Sequence, residues 1–119
     1  FNVSTVVGSA GVIHAVQTSQ ASSTNLVAND YDNLSFTSGG SVVVATTGVK
    51  SIQLTNLTWI NLTGVTYLGL IEEHDQTNTD PNPSDYRFAV NMSENATEGN
   101  RPTLTIAYTI DDGGIFILQ

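Results

Sequence analysis

The leading stretch, Phe1 to Val16, constrains this chain most, because it is apolar, β-branched and broken in the middle. Val3, Val6, Val7, Val12, Ile13 and Val16 favour an extended backbone, and no capping box or helical apolar stripe competes with them. Gly8, Ser9, Ala10 and Gly11 interrupt the run, which divides it into two arms around a hinge. Side chains alternate along a strand, so the first arm is expected to carry Phe1, Val3, Thr5 and Val7 on one face and Asn2, Ser4 and Val6 on the other. A strand of this kind has two fates. It folds into its own sheet, or it leaves and completes the sheet of a neighbour.

At 119 residues the chain is long enough for one domain with a buried core. Hydrophobic residues make up 39% and charged residues only 12%, about half the usual charged share. Ser and Thr fill the difference with 27 positions, and Asn adds 11. The surface is therefore polar through hydroxyls and amides more than through charge. Eleven acidic residues against Lys50, Arg87 and Arg101 leave a net charge of −8, so nucleic acid and anionic membranes are not expected as partners. No apolar run approaches the length of a membrane span. There is no Cys, which removes disulfide and thiolate chemistry and fits a microbial surface protein. Phe1 in place of Met reads as either a chain with its leader removed or a cut one.

Along the chain, short apolar blocks alternate with turn signals. Thr18 to Asn25 reads as a loop, Leu26 to Ala28 as a short strand, and Asn29 to Asn33 as a turn. Gly39-Gly40 is expected to be a hairpin turn between Leu34–Thr37 and Val42–Ala45, the latter covered on both faces. Val49 to Ile71 reads as the longest extended region, with a register break near Asn56 and Leu57 and a separation at Gly64. Asp75 to Ser84 is expected as a solvated loop and no helix is expected anywhere. Tyr86, Phe88, Val90 and Met92 alternate with Arg87, Ala89, Asn91 and Ser93. Leu104, Ile106, Tyr108 and Ile110 lead into Asp111-Asp112-Gly113-Gly114, a hairpin signal that returns the chain as Ile115 to Leu118. The expected fold is all-β, an immunoglobulin-like or pilin-like β-sandwich of about seven to eight short strands. Residues 1–11 form an N-terminal extension and hinge, and residues 12–119 form the sandwich.

The sharpest motif is the N-x-Ser/Thr sequon, present at Asn2, Asn33, Asn56, Asn61, Asn91 and Asn95. Composition alone would give roughly 2.5 such sites, so the excess points to N-linked glycans. Other chemistry is thinly marked. Acidic pairs such as Asp30 and Asp32, Asp111 and Asp112, and the group Asp75, Asp80 and Asp85 lack the spacing of a calcium loop. His14 and His74 have no partners at metal-ligand spacing and lie in no nucleophile motif. Trp59 is expected in the core. Lys50, the sole lysine, sits where a Lys to Asn cross-link is conceivable, though an exposed strand lysine is the plainer reading. No catalytic residue, metal or cofactor is expected.

With these residues in view the chain resembles the pilin-like subunits of archaeal threads. The resemblance is carried by the apolar start FNVSTVV, the Gly8 to Gly11 hinge, the lack of Cys, and the sequons NVS, NLS, NLT, NLT, NMS and NAT on a short-stranded β domain. It implies a non-enzymatic subunit of an extracellular cell-surface filament, a homopolymer assembled head to tail by donor-strand complementation. The filament would serve adhesion or biofilm formation and be coated by N-linked glycans. Phe1, Val3, Thr5 and Val7 would then form the donor face, with Asn2 and its glycan outside. The competing expectation is a glycosylated β-sandwich binding or anchoring module of the cell envelope, such as an adhesin, an S-layer-associated domain or a motility-filament anchor. In that case Phe1 to Val16 pairs within its own chain.

Overall fold

The computed structural model describes residues 1–20, 27, 32–79, 87–109 and 115–118. It contains eight strands among these residues, almost no helix, and only antiparallel pairings. The fold is all-β. One sheet has the order β4 (Gly48–Val49), β1 (Asn2–Val7), β6 (Arg87–Val90). A second has the order β3 (Leu34–Val44), β2 (Gly11–Thr18), β5 (Leu68–Glu72). Strands β7 (Ile106–Thr109) and β8 (Ile115–Leu118) form a hairpin of their own, in register from Ile106↔Leu118 to Thr109↔Ile115.

The core draws on both three-stranded sheets. Val3, Ile13 and Val44 are buried together, with Phe1, Val6, Val42, Ile52 and Phe88 packed around them. β2 supplies most of the remaining burial, since Ala15 and Val16 both lie inside where the β2–β3 register shifts on either side of Val16. Such irregularities let neighbouring residues face the same way.

Several expectations are corrected. Gly39-Gly40 is not a turn: β3 runs through it, because Gly39 lies under the indole of Trp59 and its carbonyl accepts from Thr55 N at 2.7 Å. A Cβ on Gly39 would collide with Trp59 Cζ3, so the glycine serves a close approach. Val42 to Val44 is not covered on both faces, since Val44 is fully buried while Val43 is 63% exposed. The long extended region is mostly irregular: between β4 and β5 it contains a 3-10 turn at Leu57–Trp59, where the expected register break falls. Part of the expected loop after His74 is helical, α1 (Glu73–Thr77), capped by the Glu72 carboxylate accepting from His74 N at 2.7 Å. It stops at Asn78, which takes the left-handed conformation with φ 51°. β6 follows the expected alternation, with Phe88 and Val90 inward and Arg87 and Ala89 outward. The expected turn at Asn29–Asn33 is present in its described part, Asp32 and Asn33; its first three residues, the expected turn at Asp111–Gly114 and the expected strand at Leu26–Ala28, apart from the exposed Val27, lie outside the described residues.

Candidate functional site: a leading strand between two others

The first strand does not stand free. Within this chain its backbone partners are its own β4 and β6, the first of the two fates open to it: Val3 pairs with Gly48 of β4, and Val3, Thr5, Val6 and Val7 pair with Val90, Ala89, Phe88 and Arg87 of β6. Beyond the strand ends, Lys50 N donates to the Phe1 carbonyl at 2.8 Å and Asn91 N to the Asn2 carbonyl at 3.0 Å. β4 and β6 neighbour one another only through β1. The strand therefore fills a slot whose floor is Ile13, Val44, Val42, Ile52 and Phe88.

Its inward face also differs from simple alternation. The register slips between Val3 and Thr5, and the Ser4 hydroxyl donates to the Ala89 carbonyl at 3.1 Å where the slip occurs. The extra residue reverses the parity of the second half of the strand. Phe1 and Val3 face the core as expected, but Val6 replaces Thr5 and Val7, which are exposed. The only signal for this in the sequence was a hydroxyl residue in the arm.

Gly8, Ser9 and Ala10 carry the chain from one sheet to the other, all exposed, with Gly8 at φ 87°. That conformation is open to glycine and costs other residues energy. Gly11 then passes tightly over Phe88, where a Cβ would lie 2.7 Å from Cζ. The break at Gly8 to Gly11 is thus present, as a crossing between sheets.

The sequons fall into distinct settings. Asn95 Nδ2 donates to Asn91 Oδ1 at 3.0 Å, Asn91 Nδ2 to Asn2 Oδ1 at 3.1 Å, and Asn2 Nδ2 to Asn100 Oδ1 at 3.2 Å. This ladder of four carboxamides ties the start of β1 to the segment after β6, and all four residues are half-buried. Asn100 carries no sequon, and nothing in the sequence around it marks its place in the ladder. Beside the ladder, the Ser93 hydroxyl donates to Glu94 Oε1 at 2.8 Å, and this bond is the main reason the exposed Glu94 carboxyl lies below its ordinary range. Asn56 and Asn61, by contrast, are exposed. Asn33 is half-buried, and its carbonyl accepts from Ser19 N at 3.2 Å.

Other candidates are not brought together. Lys50 Nζ donates to Thr46 Oγ1 at 3.1 Å and to the Thr47 carbonyl at 3.4 Å, a local arrangement with no carboxamide in it. His14 Nδ1 lies 2.9 Å from Ser38 Oγ, and His74 Nδ1 lies 2.9 Å from Glu72 Oε1. No group of three His, Cys, Asp or Glu suited to a metal exists among the described residues. Two open grooves lie among the described residues. One of about 690 Å³ is lined by Val7, Leu70, Ile71, Glu72, His74 and Arg87 among others. Another of about 700 Å³ is bordered by Ile52, Leu54, Leu57, Ile60, Leu104 and Ile106.

No protein-family model, curated protein or solved structure matches this chain. The functional reading therefore rests on the geometry of β1 and on the pattern of its surroundings.

Proposed function

We propose that the chain is a glycosylated structural subunit of an extracellular cell-surface filament, joined to its neighbours by exchange of β1, with a role in adhesion or biofilm formation. One observation carries this reading: among the described residues β1 alone bridges β4 and β6, and it connects to β2 through an exposed glycine crossing. In a filament, the β1 of one copy would occupy the slot of the next. The slot would then see the same contacts as in the closed chain, so burial of Phe1, Val3 and Val6, roughly 1.5–3 kcal/mol each, is lost and regained without net change. A swapped element of this sort is a low-cost route to association, and a head-to-tail contact that does not close makes a filament. The two three-stranded sheets would pack face to face as a pilin-like β-sandwich.

The pairing of β1 inside its own chain favours a second reading, a self-contained glycosylated envelope module. The two are separated by one gel. The chain contains no Cys, and Thr5 and Ala89 are exposed and paired, at the spacing of an antiparallel pair that suits a disulfide. Oxidised Thr5→Cys/Ala89→Cys protein is expected to give a ladder of covalent multimers once concentrated for assembly. A monomeric cross-link under every assembly condition would remove the exchange and leave the envelope module.

A further inference from the structure

The six sequons are chemically alike in sequence, yet the structure sorts five of them, all but Asn33, by what each carboxamide is already doing. Asn56 Oδ1 accepts from Thr58 N at 3.2 Å and from Thr58 Oγ1 at 2.6 Å. Asn61 Oδ1 accepts from Thr63 N at 3.0 Å and from Thr63 Oγ1 at 3.2 Å. Both tripeptides are Asn-Leu-Thr, and both fold so that the carboxamide oxygen is held by the sequon's own hydroxyl and amide. The oxygen is occupied locally, and the nitrogen of an exposed residue is left to a reagent. At Asn61 the access is also kept clear by Gly64, whose absent Cβ would stand 2.9 Å from Nδ2.

The ladder differs at the nitrogen: Asn95 Oδ1 also accepts from its sequon amide, Thr97 N, at 2.9 Å, but its Nδ2 is engaged as well. There the nitrogens of Asn2, Asn91 and Asn95 are each committed to the next carboxamide at 3.0–3.2 Å. A saccharide on any one of them would have to grow out of a half-buried row of amides in mutual contact, and it would loosen the tie that holds the start of β1.

A second observation concerns what a glycan would cover. The middle residues of the two exposed sequons, Leu57 and Leu62, are 72% and 77% exposed, and Val65 nearby is 54% exposed. Leu57 also borders the open groove with Ile52, Leu54 and Ile60, so it belongs to a contiguous apolar surface and is not an isolated exposed side chain. The C–H faces of a sugar attached one residue away are positioned to cover it.

We infer that Asn56 and Asn61 are the N-glycan acceptors of this region, that their glycans shelter Leu57 and Leu62, and that Asn2, Asn91 and Asn95 stay bare as a structural ladder. The co-reactant is an oligosaccharide activated on a lipid phosphate. Nδ2 forms a bond to the anomeric carbon, the bond from that carbon to the phosphate oxygen breaks, and the phosphate departs with its electron pair while the amide gives up one proton. The inference rests on the extracellular part of the proposed function and is independent of strand exchange.

The test is glycopeptide mapping and intact mass of the whole chain secreted by an N-glycosylating host. Glycans are expected on Asn56 and Asn61. Thr58→Val and Thr63→Val should each remove one glycan mass, and the double variant should lose both and bind more of an apolar-surface dye. Ser93→Ala and Thr97→Val destroy the sequons of Asn91 and Asn95 and should change the mass by the substitution alone. A bare Asn56 or Asn61, or a glycan on Asn2, Asn91 or Asn95, overturns the inference. The cross-linking gel reads a different property, so either result leaves the filament question to its own experiment.

Discussion

Val3 and Val7 belong to one short strand, yet they live in different solvents. Val3 is 1% exposed between β4 and β6, while Val7 is 37% exposed, because the slip at Ser4 turns the second half of the strand over. Val3→Ala is expected to cost about 2 kcal/mol through lost burial and the cavity left behind. Val7→Ala should stay within about 0.5 kcal/mol. Urea unfolding midpoints of the two variants check this, and equal losses would mean that the slip is absent in solution. Gly39 offers a second measurement. Gly39→Ala drives a methyl into the Trp59 ring and is expected to cost about 1–3 kcal/mol, the range for overpacking.

At the scale of elements, the crossing between β1 and β2 is the part whose strain is tunable. Gly8 sits at φ 87°, so Gly8→Ala should penalise the closed chain by about 1 kcal/mol. An extended crossing would not carry that penalty. The expected result is a lower melting midpoint for the monomer and a larger multimer fraction by size-exclusion chromatography at matched concentration. β2, β6 and the β7–β8 hairpin were legible in the sequence because their β-branched or alternating residues and their flanking turn signals agree. Gly39-Gly40 misled because two glycines announce a turn equally well when they announce a neighbour's ring, and Trp59 is distant along the chain. Val49 to Ile71 misled because Asn56 and Asn61 bond their own following backbone, which diverts the strand into turns that apolar parity does not record. The sequons were fully legible as motifs, but their division was not: it depends on bonds between residues far apart in the chain, among them Asn2 to Asn100, which ends the ladder.

The whole molecule is long for its size. Its radius of gyration is 15.6 Å, against about 13.5 Å for a compact domain of this length, and its extents are 55 × 28 × 27 Å. Among the described residues the fully inward apolar set is small, while Val43, Val49, Leu57 and Leu62 each show more than 60% of their surface. Under the proposed function these exposed side chains would meet other copies or sugars. A net charge of −8 opposes those contacts between copies, and the opposition fades as salt shortens the screening length to ~8 Å near 0.15 M. Multimer formation is expected to accelerate several-fold between 10 and 150 mM salt by light scattering, whereas an unchanged rate would show that repulsion is not what limits encounter. Trp59 makes these events separable. As the sole indole it rests on β3 rather than on β1, so under the proposed exchange its emission should stay constant while the leading strand changes hosts, and it should redden only when the segment after β4 lifts away. The molecule thus carries its own optical clock for telling a traded strand from a melted one.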